Sequence, residues 1–254
     1  MIETLGPYKI LGRVGVGGLG ELYRGRDEPR GRTVTIEVLP ESLSRDPDWR
    51  AGLLREADES RKLSHPNIAA LYEIDDQAGR LFLVFDVPPG QTLQAAMGGQ
   101  PMNVRRALDF AVEMADALAE AHAFAILHRF LKPASVLISA QGSAKLIDFG
   151  LTAWVGEEGI RREDVGYMSP EQRRHELLDE RTDIFSLGVI LFEMLTATMP
   201  QMSRRTAPAD VDVVLRKMLA EDRVARYQSV ASVAADLRRA MDAIEARRAA
   251  SERT

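Results

Sequence analysis

An α+β fold of two lobes, a small sheet-rich N-terminal lobe with one main helix and a larger helical C-terminal lobe, is predicted by three features of the 254-residue chain. Strand-like segments with period-two alternation crowd the residues up to 88. One break, Val87-Pro88-Pro89-Gly90, follows them. Helix-period segments then dominate, one of them apolar all round. Residues 1–88 are therefore assigned to an N-terminal lobe with a five-stranded sheet and one helix, and 89–254 to a C-terminal lobe.

The N-terminal elements follow in order. TVTIEV puts Val34, Ile36 and Val38 on one face of a strand and Thr33, Thr35 and Glu37 on the other. DPDWRAGLLREADESRKLS carries Trp49, Leu53, Ala57 and Leu63 at helical spacing, with Glu56 on or beside the inward face. LFLVF, ending at Phe85, reads as a buried strand. Beyond the break, VRRALDFAVEMADALAEAHAF has helix period, and SVLIS and AKLID are two short strands. DIFSLGVILFEMLT from Asp183 is the buried helix. The Ala-, Arg- and acid-rich tail from Ser232 is helical by propensity and should fray at its end.

Composition excludes several classes. A net charge of −5 argues against a nucleic-acid surface, and local basic runs such as that around Arg204 read as solvated faces. With no cysteine there is neither a disulfide framework nor a thiolate metal site. The start of the chain has no basic segment leading an apolar one, and the longest apolar stretch, from Ile184, is too short to span a bilayer and contains Glu193. A soluble cytoplasmic chain is expected.

GRVGVGGLGELYRG places Gly15, Gly17 and Gly20 in GxGxxG spacing, which alone describes a glycine-rich turn as well as a phosphate loop. Other landmarks follow in a fixed order: HRFLKPASVL from His128, IDFG ending at Gly150, GYMSPEQ from Gly166, DIFSLG from Asp183 and RYQS from Arg226. In that order the chain resembles the protein kinase family, most closely the bacterial Ser/Thr kinases, over roughly residues 5 to 240. The resemblance implies a nucleotide cleft between the lobes, lined by Gly15, Gly17, Gly20, Leu22, Thr35, Phe85, Asp86, Pro88 and Leu137.

Several positions depart from the family's pattern. Glu37 replaces the lysine that holds the α and β phosphates. Its usual acidic partner remains as Glu56, so like charges face each other. Phe130 replaces the aspartate that orients and deprotonates the acceptor hydroxyl, and Ser135 the asparagine that helps hold metal. Pro88 stands where a hinge N–H contacts adenine, and a proline has none. Thr35 adds bulk where an alanine roofs the base, and Ser60 sits at an apolar spine position. Lys132 and Asp148 are retained, Asp148 as the one candidate metal ligand, and His128, Arg129, Glu171, Asp183 and Arg226 are scaffold positions. Asp164 takes the place of an activation-segment threonine, so it is expected to pair with Lys132 while Phe130 packs against apolar neighbours. The segment from Asp148 to Glu171 offers only Thr152 as a hydroxyl before GYMSPE, beside acidic Glu157, Glu158 and Glu163, and PQMSRRTAP stands where a docking helix is usual.

The expected function is a pseudokinase: not an enzyme, with weak or no ATP binding and no cofactor. It would work as a scaffold or allosteric regulator for a protein partner, an active kinase or another signalling protein, with a homodimer as one form. The alternative is a divergent Ser/Thr kinase with residual phosphotransfer, using ATP and Mg²⁺, in which another cation must serve the phosphates, Arg13 and Arg24 falling where the family commonly has such residues for other reasons. A third reading is a cation or small-ligand sensor on the acidic cleft of Glu37, Glu56 and Asp148.

Overall fold

The computed structural model describes residues 3–86, 90–149, 162, 164–200 and 208–251. The N-terminal sheet runs β1 (Thr4–Leu5), β2 (Tyr8–Val16), β3 (Glu21–Asp27), β4 (Arg32–Val38), β5 (Leu71–Gln77) and β6 (Arg80–Phe85), in the spatial order β1-β2-β3-β4-β6-β5. It has six strands where the sequence led us to expect five. The addition is β1, whose Leu5 pairs with Tyr8 across a turn at Gly6 and is buried. Two residues are too few to carry a legible alternation.

The alternation of β4 reappears as two apolar layers. Val34, Ile36 and Val38 pack with Leu5, Tyr8, Phe82 and Val84 on the outer face. The inner face packs Leu22, Leu83 and Phe85 against the helix that crosses it. That helix, α2 (Pro47–Ser60), follows the short α1 (Glu41–Ser44). It starts where Asp46 accepts hydrogen bonds from the N–H groups of Asp48 and Trp49, at 2.9 and 3.0 Å. Trp49, Leu53 and Ala57 form its buried stripe, as their spacing implies. Thr35 and Glu37 share this inner side of β4, which is how a charged residue comes to lie at the bottom of the cleft.

The C-terminal lobe is helical around one large apolar cluster. A small sheet, β7 (Gln91–Thr92), β8 (Val136–Ile138) and β9 (Ala144–Leu146), lies on the side facing the first lobe. Helices α3 (Leu93–Met97), α4 (Val104–Ala123), α5 (Pro170–Arg173), α6 (Glu180–Thr196), α7 (Ala209–Met218) and α8 (Val230–Ser251) complete it. Helix α6 is buried along nearly its whole length, and α8 runs to Ser251. Ala69 N–H donates to the carbonyl of Leu146 at 2.8 Å, stitching the lobes together behind the cleft. No helix among the described residues is long and apolar enough to cross a membrane. The expected lobe boundary and Pro88 lie outside the described residues, as do Gly150, Thr152, Glu157, Glu158, Glu163 and most of PQMSRRTAP.

Candidate active site

The loop from His128 to Ser135 is held from below by α6. Asp183 accepts from the N–H groups of His128 and Arg129, each at 2.8 Å, and contacts His122 Nε2 at 2.8 Å. Burial alone would raise its pKa, but the histidines and amides turned toward it hold the carboxyl below its ordinary value. His122 and His128 are therefore scaffold groups, and burial pushes the His128 pKa down. Arg129 takes a left-handed backbone conformation, φ 67°, which tightens the turn leading into Phe130.

Phe130 is 8% exposed, and the Lys132 ammonium lies 4.2 Å from the centre of its ring. The same ammonium donates to Asp164 Oδ2 at 2.7 Å, with both side chains nearly buried. Asp164 stands in a short 3₁₀ turn, Asp164–Tyr167, of the segment that closes over the loop. A carboxylate thus reaches Lys132 from a segment 32 residues further along the chain. Ser135 is turned inward: its Oγ donates to the Lys132 carbonyl at 2.8 Å and accepts from the Lys132 N–H at 3.1 Å. Its hydroxyl serves the 3₁₀ turn Pro133–Ser135 and is not presented as a metal ligand.

Glu37 is 0% exposed. Its Oε1 accepts from Leu19 N–H at 2.8 Å and Gly20 N–H at 2.7 Å, both in the glycine-rich loop. Its carboxyl lies beside that of Asp148, which is 1% exposed. Two ionised carboxylates cannot donate to each other, whereas a proton on one turns the contact into a hydrogen bond. Burial, then the charge of Glu37 and a hydrogen bond to it, push the Asp148 pKa well above its ordinary value, against the opposing pull of Lys132. Asp148 also has a left-handed backbone, φ 67°.

The cluster expected from Glu37, Glu56 and Asp148 does not form. Glu56 turns away to Arg129, 3.7 Å from its Nη1, in a half-exposed pair. Among the described residues no group of three or more acids or histidines could hold a metal ion. The third reading is corrected accordingly: α2 carries Glu56 out to a guanidinium, where an opposite charge is available.

The expected walls of the base site are closely packed. Leu22, Phe85, Leu137 and Ile147 belong to one apolar cluster, and Thr35 beside them is buried. Ser60 Oγ is satisfied locally by the Ala57 carbonyl at 3.0 Å. Asp86 leaves this cluster, its N–H donating to the Ala70 carbonyl at 2.9 Å. Gly15 has open space around it, Arg13 pairs with Glu21 at the exposed rim, and Arg24 is exposed on β3, so neither arginine is placed among the buried carboxylates. A nucleotide phosphate does not fit on the Leu19 and Gly20 amides as they stand, because Glu37 already uses them.

Farther out, Glu171 and Arg226 form a fully buried ion pair at 2.7 Å, supported by Thr182 Oγ1 donating to Glu171 at 3.0 Å. The contacts that sequence reasoning missed are those of Glu37 with the loop amides and of Glu56 with Arg129. The GVGGLG stretch held part of the signal for the first, since adjacent glycines permit a close approach to a side chain below.

Residues 8–249 match a family model described as a protein kinase domain. A probable serine/threonine-protein kinase of Streptomyces coelicolor, SCO3848, is 30% identical over 94% of this chain and 40% of its own length. Serine/threonine-protein kinase PrkC of Bacillus subtilis is 29% identical over 94% of this chain and 41% of its length. Serine/threonine-protein kinase PknB of Mycobacterium tuberculosis is 32% identical over 91% and 42%. The chain spans about two-fifths of the length of these curated relatives. In fold it is similar to the crystallised Mycobacterium tuberculosis PknI kinase domain, with a TM-score of 0.76 at 22% identity over 94% of this chain and 99% of that one. These matches overturn the expectation that the chain is not an enzyme: its relatives are named serine/threonine-protein kinases, and the family model covers the whole site.

Proposed function

Since this chain belongs to the protein kinase family, we propose that it is a divergent serine/threonine protein kinase with residual ATP-dependent phosphotransfer to a protein hydroxyl, working in the cytoplasm. The observation that carries the reading is the retention of Asp148 and Lys132, both buried and near enough for the Lys132 charge to act on the Asp148 carboxyl. Asp148 is the residue that would take a divalent cation, which supplies charge neutralisation to transferring phosphates. Lys132 supplies a fixed positive charge beside the acceptor. Asp183 holds the loop that presents it, and the buried Glu171–Arg226 pair anchors the segment beyond Asp164. Phe130 accepts no proton, so the acceptor hydroxyl attacks the γ-phosphoryl group without a general base, losing its proton to a phosphate oxygen or to water as ADP leaves, which typically forfeits about 10² to 10⁴ in rate. The resulting enzyme is slow, and its acceptor is a protein partner.

Phosphate incorporation from radiolabelled Mg·ATP into the chain itself and into a generic protein substrate tests this. Saturable incorporation that disappears in Asp148→Ala is expected. Its absence in the parent, or its persistence unchanged in Asp148→Ala, would contradict the reading.

A further inference from the structure

We infer that Glu37 is an internal anionic ligand of the glycine-rich loop, an autoinhibitory carboxylate that occupies the backbone amides a phosphate would need and must leave them before a polyphosphate can enter. The inference rests on the proposed kinase reading only for what enters afterwards; the contact itself stands on geometry.

Two successive N–H groups, of Leu19 and Gly20, converge on the single oxygen Oε1 at 2.8 and 2.7 Å. Convergent backbone amides of this kind form an anion-binding concavity, and here the anion is covalently part of the chain. Glu37 is carried on β4, paired in register with Leu22 on one side and Leu83 on the other, so its carboxylate is delivered to the loop by the sheet. The loop is drawn down to meet it. Gly17 N–H donates to the Gly20 carbonyl at 2.7 Å, and a Cβ at Gly17 would collide with the Glu37 carboxylate. A Cβ at Gly18 would collide with the carboxylate of Asp148. The loop therefore lies directly on both acids, leaving no room for a side chain at Gly17 or Gly18 unless a carboxylate moves.

Loss of a lysine at position 37 would by itself merely weaken phosphate binding. A carboxylate bonded to the loop goes further, because any phosphate must compete with it for the same two donors. The tethered group needs no translational entropy to bind, which favours it over a free anion. The class of ligand excluded is the polyphosphate chain of a nucleotide, and the exclusion is reversible.

Amide hydrogen exchange of the full chain reads the contact, with inorganic tripolyphosphate as the probe. The Leu19 and Gly20 amides should exchange slowly in the parent and in Glu37→Gln, whose side-chain oxygen still accepts from both. They should exchange about tenfold or more faster in Glu37→Ala, where a charge-assisted bond is lost. Tripolyphosphate should protect them in Glu37→Ala at concentrations that leave the parent unchanged. Protected α6 amides certify that each variant is folded. Unprotected Leu19 and Gly20 amides in the parent would overturn the inference without any variant, and so would identical tripolyphosphate titrations of the parent and Glu37→Ala. No phosphotransfer is read, so a chain without kinase activity can still satisfy this test, and an active one can fail it.

Discussion

Phe130 lies against Lys132, whose ammonium reaches past the ring to Asp164. In the family pattern the negative charge beside this lysine comes from the catalytic loop. Here the aromatic ring fills that space, and the carboxylate arrives from the closing segment. Because both charged groups are buried, the pair is in the regime where removing one partner leaves an uncompensated charge, at a cost of roughly 3 to 5 kcal/mol. Asp164→Thr should therefore destabilise the parent by about that amount and destabilise a Lys132→Met background far less. Denaturant unfolding of the four proteins checks the cycle, and additive effects would show that the two residues do not act together. Asp164 could be read in the sequence because DVGYMSPE superposes on a motif with a known partner. The amide contacts of Glu37 could not: strand alternation assigns it a face, but which backbone folds over that face depends on a loop eighteen residues away in the chain.

Helix α5, α6 and the loop before α8 meet at Glu171 and Arg226, both fully buried. Burial works to raise the Glu171 pKa, but the hydrogen bonds and charge of Arg226 and the hydroxyl of Thr182 outweigh it and hold the carboxyl below its ordinary value. A depressed acid contributes stability above its unfolded pKa, near 4.5, and that contribution is lost as pH falls through the folded value. Glu171→Gln should lower stability at neutral pH by about 3 to 5 kcal/mol and flatten the acid limb of the stability profile below pH 4.5. Thermal unfolding across pH checks both, and a parallel acid limb in parent and variant would count against the assignment. At this scale the long elements were legible: α2, α4 and α6 each combine a side-chain N-cap with an apolar stripe or an apolar surround. The direction taken by Glu56 was not. A helix pattern places it near the inner face, and only the position of Arg129 across the cleft decides that it leaves its like-charged neighbours. The half-exposed Glu56–Arg129 pair should contribute about 1 kcal/mol or less, so Glu56→Gln should barely shift the unfolding midpoint.

Across the whole molecule, the two lobes meet through carboxylates. Glu37 from the sheet lies beside Asp148 from the helical lobe and Glu56 from α2 faces Arg129 of the loop below, while within the helical lobe Asp164 pairs with Lys132. Glu37 is held by the amides of the glycine-rich loop, Glu56 by the Arg129 guanidinium and Asp164 by the Lys132 ammonium. The cleft retains the scaffold of a protein kinase with its charges redistributed, which is why family landmarks could be read from one end of the chain to the other while the contacts at the chemistry could not. If the carboxylate serving Lys132 has been relocated from position 130 to position 164, moving it back should restore the lost general base without changing the charge around the lysine. The direct measurement is single-turnover phosphate transfer at saturating Mg·ATP in the parent and in the double variant Phe130→Asp with Asp164→Thr, with Asp148→Ala as the control. The account predicts slow transfer in the parent, a gain of roughly 10² or more in the double variant, and none in the control. A double variant that folds, retains the Lys132 pairing and transfers no faster than the parent would contradict it.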